Sequence, residues 1–267
     1  MSALPPPAIV EKDRRIVADG KIRHLAVTKI QQFNPQEDGC PMRWWFRDVQ
    51  GRKEEKRSWH DVGDGADQQI THYLATSQDV LGSVARAGKD FLPTPGRDLL
   101  LQWGLNDQPR PYDPVEKRFR SYYPPEESKV FAAGIPLIGF VDIVNGREEY
   151  LVPTDEYGEH VELRREPGVV EVLDVKTTKS FRYTKKHLEL AVNTQMVGYG
   201  ELVAAIVPEA THVRLSHVAH LTEGSPRAIK RSTLMSVSEC RARWRGVVEP
   251  IAEQMKVVAA TQRAEDV

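Results

Sequence analysis

The stretch "GVVEVLDVKTT" constrains this chain more than any other. Val169 to Val175 is a largely apolar, β-branched run of the kind that forms buried strands, yet Asp174 and Lys176 fall at its end. A side-chain period of two places both on one face with Val170 and Val172, so that face turns from apolar to ionic within a few residues. A fold that buries this strand must also accommodate an acid and a base beside its core.

Size and charge limit what that acid and base can be for. With 267 residues, 40% of them hydrophobic, the chain has enough apolar mass for one large domain or two small ones. The formal net charge of -1 gives no global attraction to nucleic acid or to an anionic membrane, so a site for a polyanion must be a local patch. Cys40 and Cys240 stand far apart in sequence, which argues against a disulfide framework and leaves too few thiolates for a zinc or iron–sulfur site built from cysteine alone. The N-terminal "MSALPPPAIVEKDRR" has no apolar export segment, and no run approaches the ~18 apolar residues of a membrane span. The expectation is a cytoplasmic protein without a membrane partner.

The proline-rich, mixed-charge residues 1–21 read as a flexible arm, and 22–267 as a single domain with an N-terminal helical part and a C-terminal helix. Thr28 is a candidate N-cap for a helix carrying Ile30 and Phe33 and ending at Pro35. Residues 62–86 suit a helix striped by Ala66, Ile70, Tyr73, Leu74 and Val80. Between Pro93 and Pro125 only "DLLLQW" reads as a regular element. In "IPLIGFVDIVNG", Ile138, Phe140, Asp142 and Val144 alternate onto one face, and Asn145-Gly146 predicts a hairpin to "EEYLVP". Leu188, Val192, Gln195, Tyr199, Val203 and Ile206 recur at a helical period, "HVRLSHVAHL" alternates as a strand, and Ser236 with Glu239 forms a capping box for a last helix that Pro250 should kink. The fold class is α/β: a mixed central sheet of about four or five strands flanked by helices, with the site at one sheet edge.

Three features converge on one chemistry. Asp142 lies on one strand, Asp174 and Lys176 on a later buried strand, and Gln195 and Tyr199 share a helix face at i and i+4. Two carboxylates beside a lysine make a hard-oxygen cage for Mg²⁺ or Mn²⁺ next to a cation that can orient water, which is what phosphodiester hydrolysis needs. Bland readings stand beside this one. Asp174 and Lys176 could be a structural ion pair, Gln195 a cap for a buried carbonyl, and Tyr199 a core aromatic. Trp44 and Trp45 read as core. His217 and His220 fall on opposite strand faces and read as ordinary residues rather than zinc ligands. "KTTKSFRYTKK" is either a solvated charge run or, with Lys179, Arg182, Lys185 and Lys186, a track for DNA phosphates leaving the metal site.

The series Gly139-Phe140-Val141-Asp142, Asp174-Val175-Lys176 and Gln195-Met-Val-Gly-Tyr199 resembles the RecB-like branch of the PD-(D/E)XK nuclease superfamily, with its restriction-endonuclease-like core and its Cas4-type and lambda-type exonucleases. "CPMRWWF" is similar to that branch's Cys-Pro segment, and the likeness spans roughly Thr28 to Ile206. The resemblance implies a deoxyribonuclease, exonucleolytic by analogy, that leaves a 5′-phosphate. Asp142, Asp174 and the Val175 carbonyl would hold Mg²⁺ or Mn²⁺, Lys176 would position water, and Gln195 and Tyr199 would brace the site or touch the DNA backbone. Where the family carries a helix Gly-x-x-x-His, this chain has Gly63-Asp-Gly-Ala-Asp67. Asp67 is therefore the candidate extra ligand, with His60 and His72 as alternatives. The iron–sulfur cysteines of Cas4-like relatives are missing, so no cluster is expected. DNA is the implied partner, with a separate helicase, annealing or recombination protein beside it, in recombination, repair or replication, and a phage or mobile element as a possible source. The alternative is a nuclease-like module that binds DNA or protein without cutting.

Overall fold

Apolar residues at period two and at period 3.6 sort this chain into strands and helices, which its computed structural model assembles as a mixed sheet with helices on both faces. The structure describes residues 16–52, 59–96, 98–110, 112–113, 118–119 and 124–261. The chain opens with β1 (Val17–Ala18), β2 (Lys21–Ile22), β3 (Leu25–Ala26), α1 (Val27–Phe33) and α2 (Pro41–Trp44), which runs into a π-helical turn at Trp45–Val49. There follow α3 (Trp59–Thr76), α4 (Ser83–Arg86), β4 (Leu99–Gly104), β5 (Tyr112–Asp113), β6 (Arg118–Phe119), β7 (Phe131–Ala132), β8 (Ile135–Ile138), β9 (Phe140–Asn145), β10 (Glu149–Pro153) and β11 (Val161–Arg165). The second half comprises β12 (Val169–Thr178), α5 (His187–Leu190), α6 (Thr194–Ile206), β13 (His212–Leu221), β14 (Ala228–Ser236), α7 (Val237–Arg243), a π-helical turn at Trp244–Val248 and α8 (Glu249–Ala260). Among the described residues no helix is long and apolar enough to cross a membrane.

Among the described residues the central sheet has five strands, in the order β14-β13-β12-β9-β4. Within this sheet β12 and β13 are the pair that runs parallel, and the crossover that a parallel pair requires is supplied by α5 and α6. Because β12 is central, its residues meet a layer on each face. Val170 and Val172 pack with Val144, Leu215 and Met196 under α1, α6 and α8, whereas Leu173 packs with Ile143, Ile70 and Leu74 under α3. This double burial is why the run at Val169 reads as nearly continuous apolar sequence.

Several local expectations change once the elements are packed. Residues 1–15 of the expected arm lie outside the described residues, but Val17 belongs to a hairpin and is 5% exposed within the core, so order begins before Ile22. Helix α1 starts one residue ahead of Thr28, because burying Val27 with Ile30 sets its first turn. The expected helix over 62–86 closes at Thr76, where Ser77 takes a left-handed φ of 63°, and Val80 lies exposed in the connection to α4. Asn145-Gly146 does not close a β9–β10 hairpin: β9 stays in the central sheet while β10 pairs with β11. The buried Asn145 side chain accepts from the Arg147 N–H and donates to the Glu149 carbonyl, turning the chain out of the sheet instead. The helical stripe around Gln195 is split as well. Asn193 accepts from the Met196 N–H as the N-cap of α6, which leaves Leu188 82% exposed on the short α5. The capping box at Ser236 and Glu239 forms as expected, and Pro250 lies inside a continuous helical stretch just after the π-helical turn at Trp244–Val248, where the winding departs from α because the proline has no N–H to give the turn before it.

Candidate active site

The site forms where two central strands part, not at a sheet edge. Strand β9 pairs with β12 only from Glu171↔Asn145 to Leu173↔Ile143, while it stays paired with β4 as far as Phe140↔Gly104. Beyond Leu173, β12 continues alone with β13 to Thr178↔Leu221. The Asp142 side chain fills the opening, and its Oδ2 accepts from the Val175 N–H at 2.9 Å in place of a ladder hydrogen bond.

Asp174, 2% exposed, points from the adjacent turn of the pleat toward α6. Lys176 Nζ lies 2.5 Å from Asp174 Oδ2 and donates to Gln195 Oε1 at 3.1 Å. The Gln195 amide then donates to Asp174 Oδ1 at 3.2 Å and to the Tyr199 hydroxyl at 3.0 Å. Gln195 thus reads both the carboxylate and the ammonium, using its carbonyl for one and its NH₂ for the other. The start of α6 is pinned by Glu37, whose carboxylate accepts from Asn193 Nδ2 at 2.6 Å, from the Thr194 N–H at 2.8 Å and from the Thr194 hydroxyl. Glu37 comes from the short 3₁₀ turn at Pro35–Glu37, just ahead of the Cys-Pro segment in which Trp44 and Trp45 are core.

The charges are mutually frustrated. Burial, reinforced by Asp174 and Asp67, holds the Asp142 carboxyl well above the usual range. Burial also raises Asp67 to about 6, with Arg110 opposing and Asp174 and Asp64 adding to the rise. For Lys176 burial works against the charge, but Asp174, Asp142 and Asp67 together outweigh it and hold the ammonium above its ordinary value. Burial with the nearby carboxylates pushes Tyr199 well up, so it stays a phenol. Asp174 Oδ2 is buried against the Lys176 ammonium, with His217 Nε2 at 3.5 Å. Clustered carboxylates, with burial and their mutual repulsion raising the proton affinity of Asp142 and Asp67, are the donor chemistry of a hard divalent cation. Among the described residues no group of three or more His, Cys, Asp or Glu converges closely enough to ligate an ion without other donors.

The structure brings Asp142, Asp174, Lys176, Gln195 and Tyr199 together. Asp67 joins the same charge cluster from α3, on the opposite layer, and its carboxylate accepts from Gln102 Nε2 at 3.4 Å. Of its alternatives, His72 is exposed and lies 3.3 Å from Gln78 Oε1, while the His60 side chain lies outside the described residues. The basic track is uneven. Lys179 pairs with Glu223 at 2.6 Å, Arg182 bonds the Tyr183 hydroxyl, Lys185 acts electrostatically on His217, and at Lys186 it is the backbone N–H that donates to the Glu189 carboxylate.

Sequence reasoning missed His217. The parallel register sets Asp174 opposite His217, and burial, partly opposed by Asp174, lowers the imidazole to about 4, so it is neutral near pH 7. The alternation of "HVRLSHVAHL" puts His217 and His220 on opposite faces, as read, but only strand pairing reveals that the face of His217 is that of Asp174. Arg110 was also missed. Its guanidinium donates to Gln102 Oε1 at 2.9 Å and acts on both Asp67 and Asp142.

No family model matches the chain, and no curated protein matches it. A crystal structure from Eubacterium rectale, described as a "Putative exonuclease", is similar to it at 11% identity and a TM-score of 0.45, covering 90% of this chain and 83% of that one. A likeness that distant carries no argument about activity, which rests on the geometry of the site.

Proposed function

We propose that this chain is a divalent-cation-dependent deoxyribonuclease of the RecB-like PD-(D/E)XK type, exonucleolytic, serving recombination, repair or replication beside a separate helicase, annealing or recombination protein. The observation that carries the reading is the Asp142–Asp174–Lys176–Gln195 arrangement, in which the buried Asp174 and the half-buried Asp142, whose carboxyl is held well above its usual range, face one ammonium. Asp142, Asp174 and the Val175 carbonyl would hold Mg²⁺ or Mn²⁺, with Asp67 as a further ligand; the carbonyl projects toward the strand gap because a strand residue's N–H and C=O point to the same side. Two or three protein donors leave positions for water and phosphate oxygens, as Mg²⁺ prefers. When bound, the ion supplies Lewis-acid stabilisation of the attacking and leaving oxygens.

The protein's own groups do the rest. Lys176, kept protonated by its carboxylate neighbours, acts as a donor that orients the attacking water and offsets charge growing on the phosphate, rather than as a base. Gln195 fixes the Lys176 and Asp174 rotamers, and Tyr199 fixes Gln195. Neutral His217 walls off Asp174 without adding a competing cation. A labelled-DNA assay with Mg²⁺, Mn²⁺ or chelator tests the reading. The wild type should release 5′-phosphorylated products only with the ion, Asp174→Ala should abolish cleavage while the fold persists, and Lys176→Ala should keep ion affinity but lose at least about 100-fold in rate. Binding of DNA without ion-dependent cleavage by the wild type would instead favour the non-cutting module.

A further inference from the structure

Beyond Lys176, β12 runs into a cleft of about 290 Å³ lined by Thr177, Thr178, Lys179, Tyr183 and Thr222. Tyr183 is 67% exposed, so its ring is open to a ligand. It is nonetheless held in place: the Arg182 guanidinium carbon lies 4.6 Å from its ring centroid, and the same side chain bonds its hydroxyl. The 3₁₀ turn at Phe181–Tyr183 presents it, capped by the Ser180 side chain. Around it, the Thr178 hydroxyl donates to the Ser180 carbonyl and the Thr222 N–H to the Thr178 carbonyl, so the cleft wall is built rather than frayed.

We propose that this cleft is a nucleobase subsite in which Tyr183, braced by Arg182, stacks on an unpaired base next to the scissile phosphate, making single-stranded DNA the substrate. The subsite rests on the reading of Asp142, Asp174 and Lys176 as a nuclease site. Continuity supports it: Thr177 and Thr178 follow Lys176 on one strand, and two residues of strand rise place Thr178 about 7 Å past the lysine, within reach of the neighbouring nucleotide. Charge supports it too, because Arg182, Lys185 and Lys186 flank the cleft in sequence while Lys179 at its rim is already paired with Glu223. A face of an aromatic ring in a basic setting accepts any base, whereas a paired base keeps its faces in the duplex stack.

The test measures binding of full-length protein, in chelator, to a single-stranded oligonucleotide, to the same strand with abasic residues, and to its duplex. Tyr183→Ala should weaken single-strand binding about 5- to 150-fold, the range expected when one stack is removed. Tyr183→Phe should stay within about twofold of wild type, which would assign the effect to the ring and not to the hydroxyl bonded by Arg182. The abasic strand should bind wild type and Tyr183→Ala alike. Equal single-strand affinity of wild type and Tyr183→Ala, in a protein that still cleaves DNA with Mn²⁺, overturns the subsite and leaves the nuclease reading standing. A wild type that neither binds nor cleaves DNA overturns both.

Discussion

Asp174 is at once a partner of Lys176, an acceptor for Gln195 and a neighbour of His217, so single substitutions near it have readable signatures. His217 falls from 6.5 to about 4 in the folded protein, so between those values the unfolded chain binds more protons. Its contribution to stability is full above pH 6.5 and is lost as pH falls toward 4, amounting to about 2 kcal/mol at pH 5. His217→Gln should therefore narrow the difference in melting temperature between pH 7.5 and pH 5; an unchanged difference would show that His217 is not the group responsible. Asp67 works in the opposite sense, its stabilising protonation being lost as pH rises through about 6, but it is common to both proteins and cancels in the comparison. The same raised carboxyls predict that Mn²⁺ stabilises the fold more at pH 7.5 than at pH 5.5, because the ion must displace protons. At 100 times the dissociation constant the gain is about 2.7 kcal/mol. Asp142→Asn should remove most of it, as read by thermal melts with and without chelator.

At the scale of elements, the placement of α6 is decided by contacts remote in sequence. Glu37 binds the first turn of α6 through Asn193 and Thr194, adding a charged cap to the one supplied by Asn193 itself. Glu37→Ala should cost about 2 kcal/mol in urea unfolding, since it strips a buried donor of its acceptor. It should also lower turnover, because Gln195 is the second residue of that helix. Full stability with full activity would mean that the α6 start holds itself. The β9–β12 separation is an element-level feature as well, because a fully zipped pair would place a ladder hydrogen bond where the Asp142 carboxylate now meets the Val175 N–H.

For the whole molecule, a net charge of -1 leaves DNA attraction to local patches, and the structure grades the candidate track. Lys179 is engaged by Glu223, so it should contribute less than Arg182, Lys185 or Lys186. Replacing all of them with alanine should flatten the salt dependence of single-strand binding by about 0.7 slope units for each phosphate no longer neutralised, irrespective of base sequence. If Lys179→Ala alone accounts for most of the change, Glu223 releases it on binding and the grading is wrong.

Much of this was legible in the chain as written. The double burial of Val169–Leu173, the acid–base step at Asp174 and Lys176, the i, i+4 pairing of Gln195 with Tyr199 and the Ser236 capping box are local patterns, and local patterns follow from backbone periods and from hydrogen-bonding needs within one element. What Asn145-Gly146 connects, where the 184–207 stretch breaks, how Glu37 reaches α6 and that His217 faces Asp174 could not be read there. Each depends on which strands pair, in what register and where they part, and that is decided by the burial of two faces of one sheet at once, against competitors distant in sequence.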